Sequence, residues 1–146
     1  MRTKVSEILK QKGHDVITVG PAETVEAVTH VLARHRIGAA LVTDQANRIA
    51  GIISERDIAR SIAEHGSAAL AMTAADFMTR EVKTCAPDDE LVDLMEVMTR
   101  ERIRHLPVVR GDGMLDGLIS IGDVVKSRLA EVRFEMDQLR QYITSP

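Results

Sequence analysis

An internal repeat with one fixed spacing constrains this chain more than any other feature of its sequence. Residues 17–44 and 48–62 align without a gap with residues 83–110 and 114–128. The identical residues that mark the register are Pro21/Pro87, Ile37/Ile103, Gly51/Gly117, Ser54/Ser120 and Asp57/Asp123. A register kept over this length indicates two copies of one structural unit rather than chance similarity.

The hydrophobic periodicity within each copy predicts the order β-α-β-β-α after a short leading helix. A proline is expected to open the amphipathic helix, and the final helix is expected just after Ser54 or Ser120. The Asp112-Gly113 pair is the clearest hairpin signal. The predicted leading helices lie at about 4–10 and 74–79, the first strands at about 16–19 and 82–85, and the paired strands at 39–44 with 48–54 and 105–110 with 114–120.

We therefore predict an α/β (α+β) fold of two pseudo-symmetric repeats that pack through their sheets, followed by an extended C-terminal helix. Neither copy is large enough to bury both faces of its own sheet. Along the chain the predicted division is 1–66 for the first repeat with its N-terminal helix and 67–146 for the second, with 64–74 as the linker.

Composition excludes several classes of partner. Aromatic residues make up 2% of the chain and tryptophan is absent, which argues against the stacking platforms of single-stranded nucleic-acid binding. The net charge of −3 gives no positive field for nucleic acid or an anionic membrane. Cys85 is the single cysteine, so an intramolecular disulfide is impossible, and its alignment with Val19 predicts a core position. No apolar run reaches the ~18 residues of a membrane span, and we expect a cytoplasmic protein.

Each copy ends in the motif Gly-apolar-apolar-Ser-x-x-Asp, at 51–57 and 117–123. This motif places a serine at the N-terminus of a helix, where free backbone N–H groups and the helix dipole favour an anion. An aspartate one turn further on is a usual acceptor for ribose hydroxyls. Ser-x-x-Asp is also a capping box, which any helix here would need, and on one copy alone that is the commoner interpretation.

The repeat, the motif in both copies and the segment RHLPVV at 104–109 together resemble CBS domains, two of which in tandem form a Bateman module. The resemblance covers roughly residues 3–128. It implies a non-catalytic regulatory module that senses energy or redox state and acts in trans on a partner that the sequence does not identify. It also implies two clefts, each built from both copies, that hold AMP, ADP, ATP or another adenosine derivative, with NAD(H) and S-adenosylmethionine as alternatives.

Carried over position by position, the resemblance assigns residues to each cleft. We favour the first cleft as the ligand site, because it combines the small residue Gly122 at the helix start with Arg104 and His105. The first cleft comprises Val16, Ile17, Thr18, Ile37, Gly38, Arg104, His105, Leu118, Ser120, Gly122 and Asp123. The second comprises Ile52, Ser54, Arg56, Asp57, Val82, Lys83, Thr84 and Ile103. Since Arg56 has no basic counterpart in the other copy, the two clefts are expected to treat a phosphate differently.

Two alternatives belong to other functional classes. An enzyme is not expected, because Ser120 lacks a G-x-S-x-G context and the five histidines show no metal-ligand spacing. The second alternative is a structural dimerisation module without a small ligand, based on an a/d heptad row in the C-terminal helix. That row either covers the chain's own core or joins two chains, and we expect a homodimer. Its members are Val125, Leu129, Val132, Met136, Leu139 and Ile143.

Overall fold

The computed structural model describes residues 2–145, and within them the predicted order of elements is present in the first copy and, apart from its first strand, in the second. The helices are α1 (Val5–Lys12), α2 (Val25–His35), α3 (Glu55–His65), α4 (Ala74–Phe77), α5 (Leu91–Glu101) and α6 (Ile121–Thr144), and the strands are β1 (Thr18–Val19), β2 (Ala39–Thr43), β3 (Ile49–Ser54), β4 (His105–Val109) and β5 (Leu115–Ser120). The predicted linker contains a 3-10 helix, Gly66–Ala71. This mixed α/β architecture agrees with the predicted fold class.

The first compact unit consists of Asp15–Lys83 with the short segment Gly113–Leu115. Its sheet has the order β1-β2-β3, in which β1 is parallel and β3 antiparallel to the central strand β2. Strand β2 is buried from Ala39 to Val42, as expected for a central strand covered on both faces. The unit's core is aliphatic apart from Phe77 and consists of Val19, Val25, Val28, Leu32, Ala40, Val42, Ile53, Ile58, Ala74 and Phe77.

The second compact unit contains the N-terminal segment as far as His14, then Thr84–Asp112, then the chain from Asp116 onward. Strands β4 and β5 form a two-stranded sheet. Cys85 forms an isolated parallel bridge to Val108 at the position that β1 occupies in the other unit. Its core comprises Val5, Ile8, Leu9, Cys85, Leu91, Leu94, Met98, Leu106, Val108, Ile119 and Val124, which confirms the predicted core position of the cysteine.

The leading helix of each copy packs in the unit formed mainly by the other copy. Helix α1 precedes the first copy but belongs to the second unit, where a Cβ built on Gly117 would lie 2.6 Å from Leu9 Cδ2. Helix α4 precedes the second copy but belongs to the first unit, where a Cβ on Gly51 would lie 2.8 Å from the Thr79 carbonyl oxygen. The repeated glycine of the motif therefore allows two chain segments to approach each other closely. The boundaries of the compact units do not coincide with a division of the sequence between residues 66 and 67.

Two local predictions are wrong. Neither proline opens its helix: α2 begins at Val25, where the Thr24 hydroxyl accepts from the Ala27 amide, and α5 begins at Leu91. The strand predicted at 82–85 is reduced to a single bridging residue. The next amide, that of Ala86, donates to the Asp89 carboxylate instead of to a neighbouring strand.

Candidate functional site

The start of helix α6 carries a complete capping box. The Ser120 backbone N–H and hydroxyl donate to Asp123 Oδ2 at 2.8 and 2.9 Å, and the Asp123 N–H donates back to the Ser120 hydroxyl at 3.2 Å. The capping interpretation of the motif is therefore confirmed at this position. The box engages the amide of Asp123, and the Ile121 amide donates to the Arg104 carbonyl oxygen at 2.8 Å. Among the described hydrogen bonds of the first turn, this leaves the Gly122 amide as the donor open to a ligand.

Lys12, near the end of α1, adds a cation to this capping box. Its Nζ lies 2.6 Å from Asp123 Oδ2 and 2.6 Å from the Leu118 carbonyl oxygen. The described hydrogen bonds that Asp123 accepts therefore all go to Oδ2. Sequence reasoning missed Lys12, since no pattern relates two residues 111 positions apart and the contact exists only because α1 packs against the second copy.

The electrostatics at Asp123 favour the ionised carboxylate. Burial by itself raises the pKa of Asp123, but the hydrogen bond from Lys12 and those from Ser120 outweigh it, so the pKa lies below its ordinary value. The side chain stays 23% exposed, which leaves the carboxylate accessible to a ligand.

The structure brings the second copy's predicted site residues together at one end of its sheet. The Ile121–Arg104 hydrogen bond joins the start of α6 to the residue before β4, and His105 is the first residue of β4. Arg104 is exposed and His105 is half-buried. The group consists of Arg104, His105, Leu118, Ser120, Gly122 and Asp123.

The first unit repeats this arrangement with a different cation. Ser54 and Asp57 form the same capping box, with Ser54 N–H and hydroxyl 2.8 and 3.0 Å from Asp57 Oδ2. The Glu55 amide donates to the Gly38 carbonyl oxygen at 2.9 Å, which joins α3 to the residue before β2. Here the cation is Arg60, whose Nη2 lies 3.1 Å from Asp57 Oδ1. The i, i+3 spacing of Asp57 and Arg60 on one helix is the sequence signal that indicates this contact.

Each predicted cleft combines residues of both compact units. In the first cleft, Val16, Ile17, Thr18, Ile37 and Gly38 belong to the first unit, and the six residues grouped at the start of α6 belong to the second. In the second cleft, Ile52, Ser54, Arg56, Asp57, Val82 and Lys83 belong to the first unit, whereas Thr84 and Ile103 belong to the second. The structure assigns each of these residues to a compact unit, and their assembly around one ligand stays a prediction.

The thiol of Cys85 is buried. Burial, with a smaller contribution from Asp89, raises the pKa of Cys85 to about 12, so its thiol is protonated at neutral pH. Between residues 2 and 145, no three His, Cys, Asp or Glu side chains are arranged to hold a metal ion. No helix in that same range is long and apolar enough to cross a membrane.

Comparison with known proteins identifies the repeat. The family model of the CBS domain matches residues 5–64 and again residues 74–130. A crystal structure of the CBS-domain containing protein ATU1752 from Agrobacterium tumefaciens is 43% identical, with a TM-score of 0.84, covering 86% of this chain and 99% of that one.

Two further similar structures contain adenosine derivatives. The CBS domain protein PAE2072 from Pyrobaculum aerophilum, complexed with AMP, is 30% identical with a TM-score of 0.74, covering 83% of this chain and 89% of that one. The CBS domain pair of protein MJ0100, in complex with 5'-methylthioadenosine and S-adenosyl-L-methionine, is 26% identical with a TM-score of 0.78, covering 91% and 99%.

Proposed function

The chain belongs to the CBS-domain family, and from this membership we propose that it is a regulatory module that binds an adenine nucleotide and acts in trans on another protein. The observation that carries the proposal is the start of α6, a long helix with Asp123 in its first turn, where the Ile121 amide joins the helix to the backbone of exposed Arg104. A carboxylate accepts hydrogen bonds from a ribose, and a helix N-terminus with a neighbouring guanidinium favours a phosphate.

The ligand we propose is AMP, ADP or ATP. Support comes from the AMP complex of PAE2072, and the ligands of MJ0100 show that related domain pairs also accept other adenosine derivatives. S-adenosylmethionine is cationic at sulfur, so Lys12 and Arg104 disfavour it electrostatically relative to an anionic phosphate. NAD(H) keeps both the adenosine and the phosphates and is the remaining alternative.

Isothermal titration of AMP into the wild-type protein and the Asp123→Ala variant tests the proposal. Removing the carboxylate should weaken binding by about 1.5–3 kcal/mol, the range of a charge-assisted hydrogen bond, or about 10- to 150-fold in Kd. Asp93→Ala is the matched control, because Asp93 is an exposed acid in the first turn of another helix. Equal affinities of all three proteins would contradict the assignment of Asp123. If the wild type shows no measurable binding of AMP, ATP or NAD(H), the proposed function is contradicted.

A second candidate function is homodimerisation through α6, which does not require a ligand. The heptad row that the sequence predicted is largely solvent-exposed: Val125 is 51%, Leu129 52%, Met136 49%, Leu139 58% and Ile143 71% exposed. The chain's own core therefore does not cover these side chains. A contiguous apolar row of this length on a soluble surface is typical of an interface, and a second copy presents the same row to it.

Replacing both Leu129 and Met136 with Glu tests the dimer. If the row joins two copies, the paired charges should convert a dimer into a monomer by light scattering while circular dichroism stays unchanged. The control variant Gln138→Glu/Gln141→Glu adds the same two charges at exposed positions outside the row. A wild-type monomer, or a variant dimer of unchanged mass, would contradict this function and leave nucleotide binding unaffected.

A further inference from the structure

The two capping boxes have the same local geometry, but their aspartates differ in which oxygen a cation engages. In each copy the serine N–H and hydroxyl donate to Oδ2, which leaves Oδ1 with the greater capacity to accept from a ribose hydroxyl. The contacts of Oδ1 and the exposure of the side chain therefore distinguish the two aspartates as acceptors for a ribose.

At Asp57, Oδ1 is already engaged. Arg60 Nη2 lies 3.1 Å from it, and the same nitrogen lies 3.4 Å from the Phe77 carbonyl oxygen, so the guanidinium is held by two acceptors. The Asp57 side chain is 8% exposed. A ribose hydroxyl that approached this carboxylate would have to share Oδ1 with a charge-assisted hydrogen bond, or displace it, at a nearly buried side chain.

At Asp123 none of the described hydrogen bonds reaches Oδ1. Lys12 Nζ contacts Oδ2, the oxygen that the cap already uses, and its second bond goes to the Leu118 carbonyl oxygen. The Asp123 side chain is 23% exposed, about three times the exposed fraction of Asp57. Lys12 thus compensates the negative charge without occupying the acceptor that a ribose requires.

We propose that Arg60 closes the Asp57 copy to the ribose, so that the chain binds one nucleotide, at Asp123, and that Arg60 determines this stoichiometry. The inference rests on the proposed function and deepens it, because it assigns the ligand to one of two sequence-equivalent sites. Arg60 is a specificity-determining residue of the closed site, and Lys12 is a positioning residue of the open one.

Stoichiometry measured by titration with AMP tests the proposal. We expect one AMP per wild-type chain and two per chain for Arg60→Gln, with the second event absent from the control Arg34→Gln, an exposed arginine on α2. In the Asp123→Asn background, binding should fall at least tenfold, and adding Arg60→Gln should restore one AMP per chain. Arg60→Met, which keeps the aliphatic stem, replaces Arg60→Gln if circular dichroism shows that the glutamine variant is unfolded.

Each outcome decides between the inference and the function on which it rests. Two AMP per wild-type chain, or one AMP that Asp57→Asn abolishes and Asp123→Asn does not, overturns the inference and leaves the function standing. A folded Arg60 variant that still binds only one AMP also overturns it. If neither the wild-type chain nor the Arg60 variants bind AMP, the inference and the proposed function are both contradicted.

Discussion

Replacing Lys12 with Met should lower the stability of the second unit in a pH-dependent way. The variant keeps the aliphatic stem and removes the ammonium, which loses the 2.6 Å contacts to Asp123 Oδ2 and the Leu118 carbonyl oxygen. A charge-assisted hydrogen bond contributes about 1.5–3 kcal/mol when buried. Because the Lys12 side chain is 35% exposed, solvent screening reduces the expected loss to about 1 kcal/mol.

The pH dependence follows from the lowered pKa of Asp123. A carboxyl group whose pKa is lowered by folding contributes stability above its unfolded pKa, about 3.9, and that contribution is lost as the pH falls through the folded value. The Lys12→Met variant retains only the part of the lowering that Ser120 provides. The difference in stability between wild type and variant should therefore be full at pH 7.5 and should shrink below about pH 4.

Urea unfolding followed by circular dichroism at pH 7.5, 5 and 3 measures this difference. Lys10→Met is the matched control, since Lys10 lies on the same helix and its side chain is exposed. We expect the control to stay within about 0.5 kcal/mol of wild type at every pH, as for an ordinary surface change. The reasoning is refuted if Lys12→Met equals the control at pH 7.5, or if its deficit is the same at pH 3 as at pH 7.5.

Three further predictions address the core, the thiol and the ligand response. Gly117→Ala should cost about 1–3 kcal/mol in urea unfolding because its Cβ would meet Leu9, whereas Gly111→Ala, with open space around it, should be close to neutral. Cys85 should react with a thiol reagent at pH 8 only as fast as the protein unfolds, and rapid labelling of native protein would contradict its burial. AMP at a hundredfold excess over Kd should stabilise the fold by about 2.7 kcal/mol and slow hydrogen exchange in residues 123–143, and protection limited to the start of α6 would indicate binding without transmission.

The features that the sequence predicted well depend on local patterns. The four long strands and the helix starts after Ser54 and Ser120 lie within about one residue of their predicted positions, because alternating burial and a capping box are encoded over a few residues. The helix starts predicted from the prolines were wrong, because proline is tolerated in the turn before a helix as well as in its first turn.

The sequence allowed a candidate site to be predicted from motifs within each copy, but it did not indicate contacts between distant segments. The motif located both aspartates, and the resemblance assigned Gly38 and Arg104, which precede β2 and β4, but the contacts of Lys12 and Arg60 were not predicted. Arg60 lies one turn from Asp57 and was within reach of helix spacing rules. Lys12 was not, because its contact depends on where α1 packs, and packing partners of a short amphipathic helix are not encoded in its own periodicity.

The packing of α1 against the second copy also determines when the second unit can fold during translation. The Thr3 amide donates to the Glu131 carboxylate 128 residues later, and both side chains are more than nine-tenths buried. At a translation rate of about 5–20 residues per second, roughly 6–25 seconds pass between the synthesis of α1 and the synthesis of the part of α6 that it contacts. During that interval the nascent chain exposes Val5, Ile8 and Leu9, so holding by a chaperone at the ribosome would protect α1 until the second unit closes.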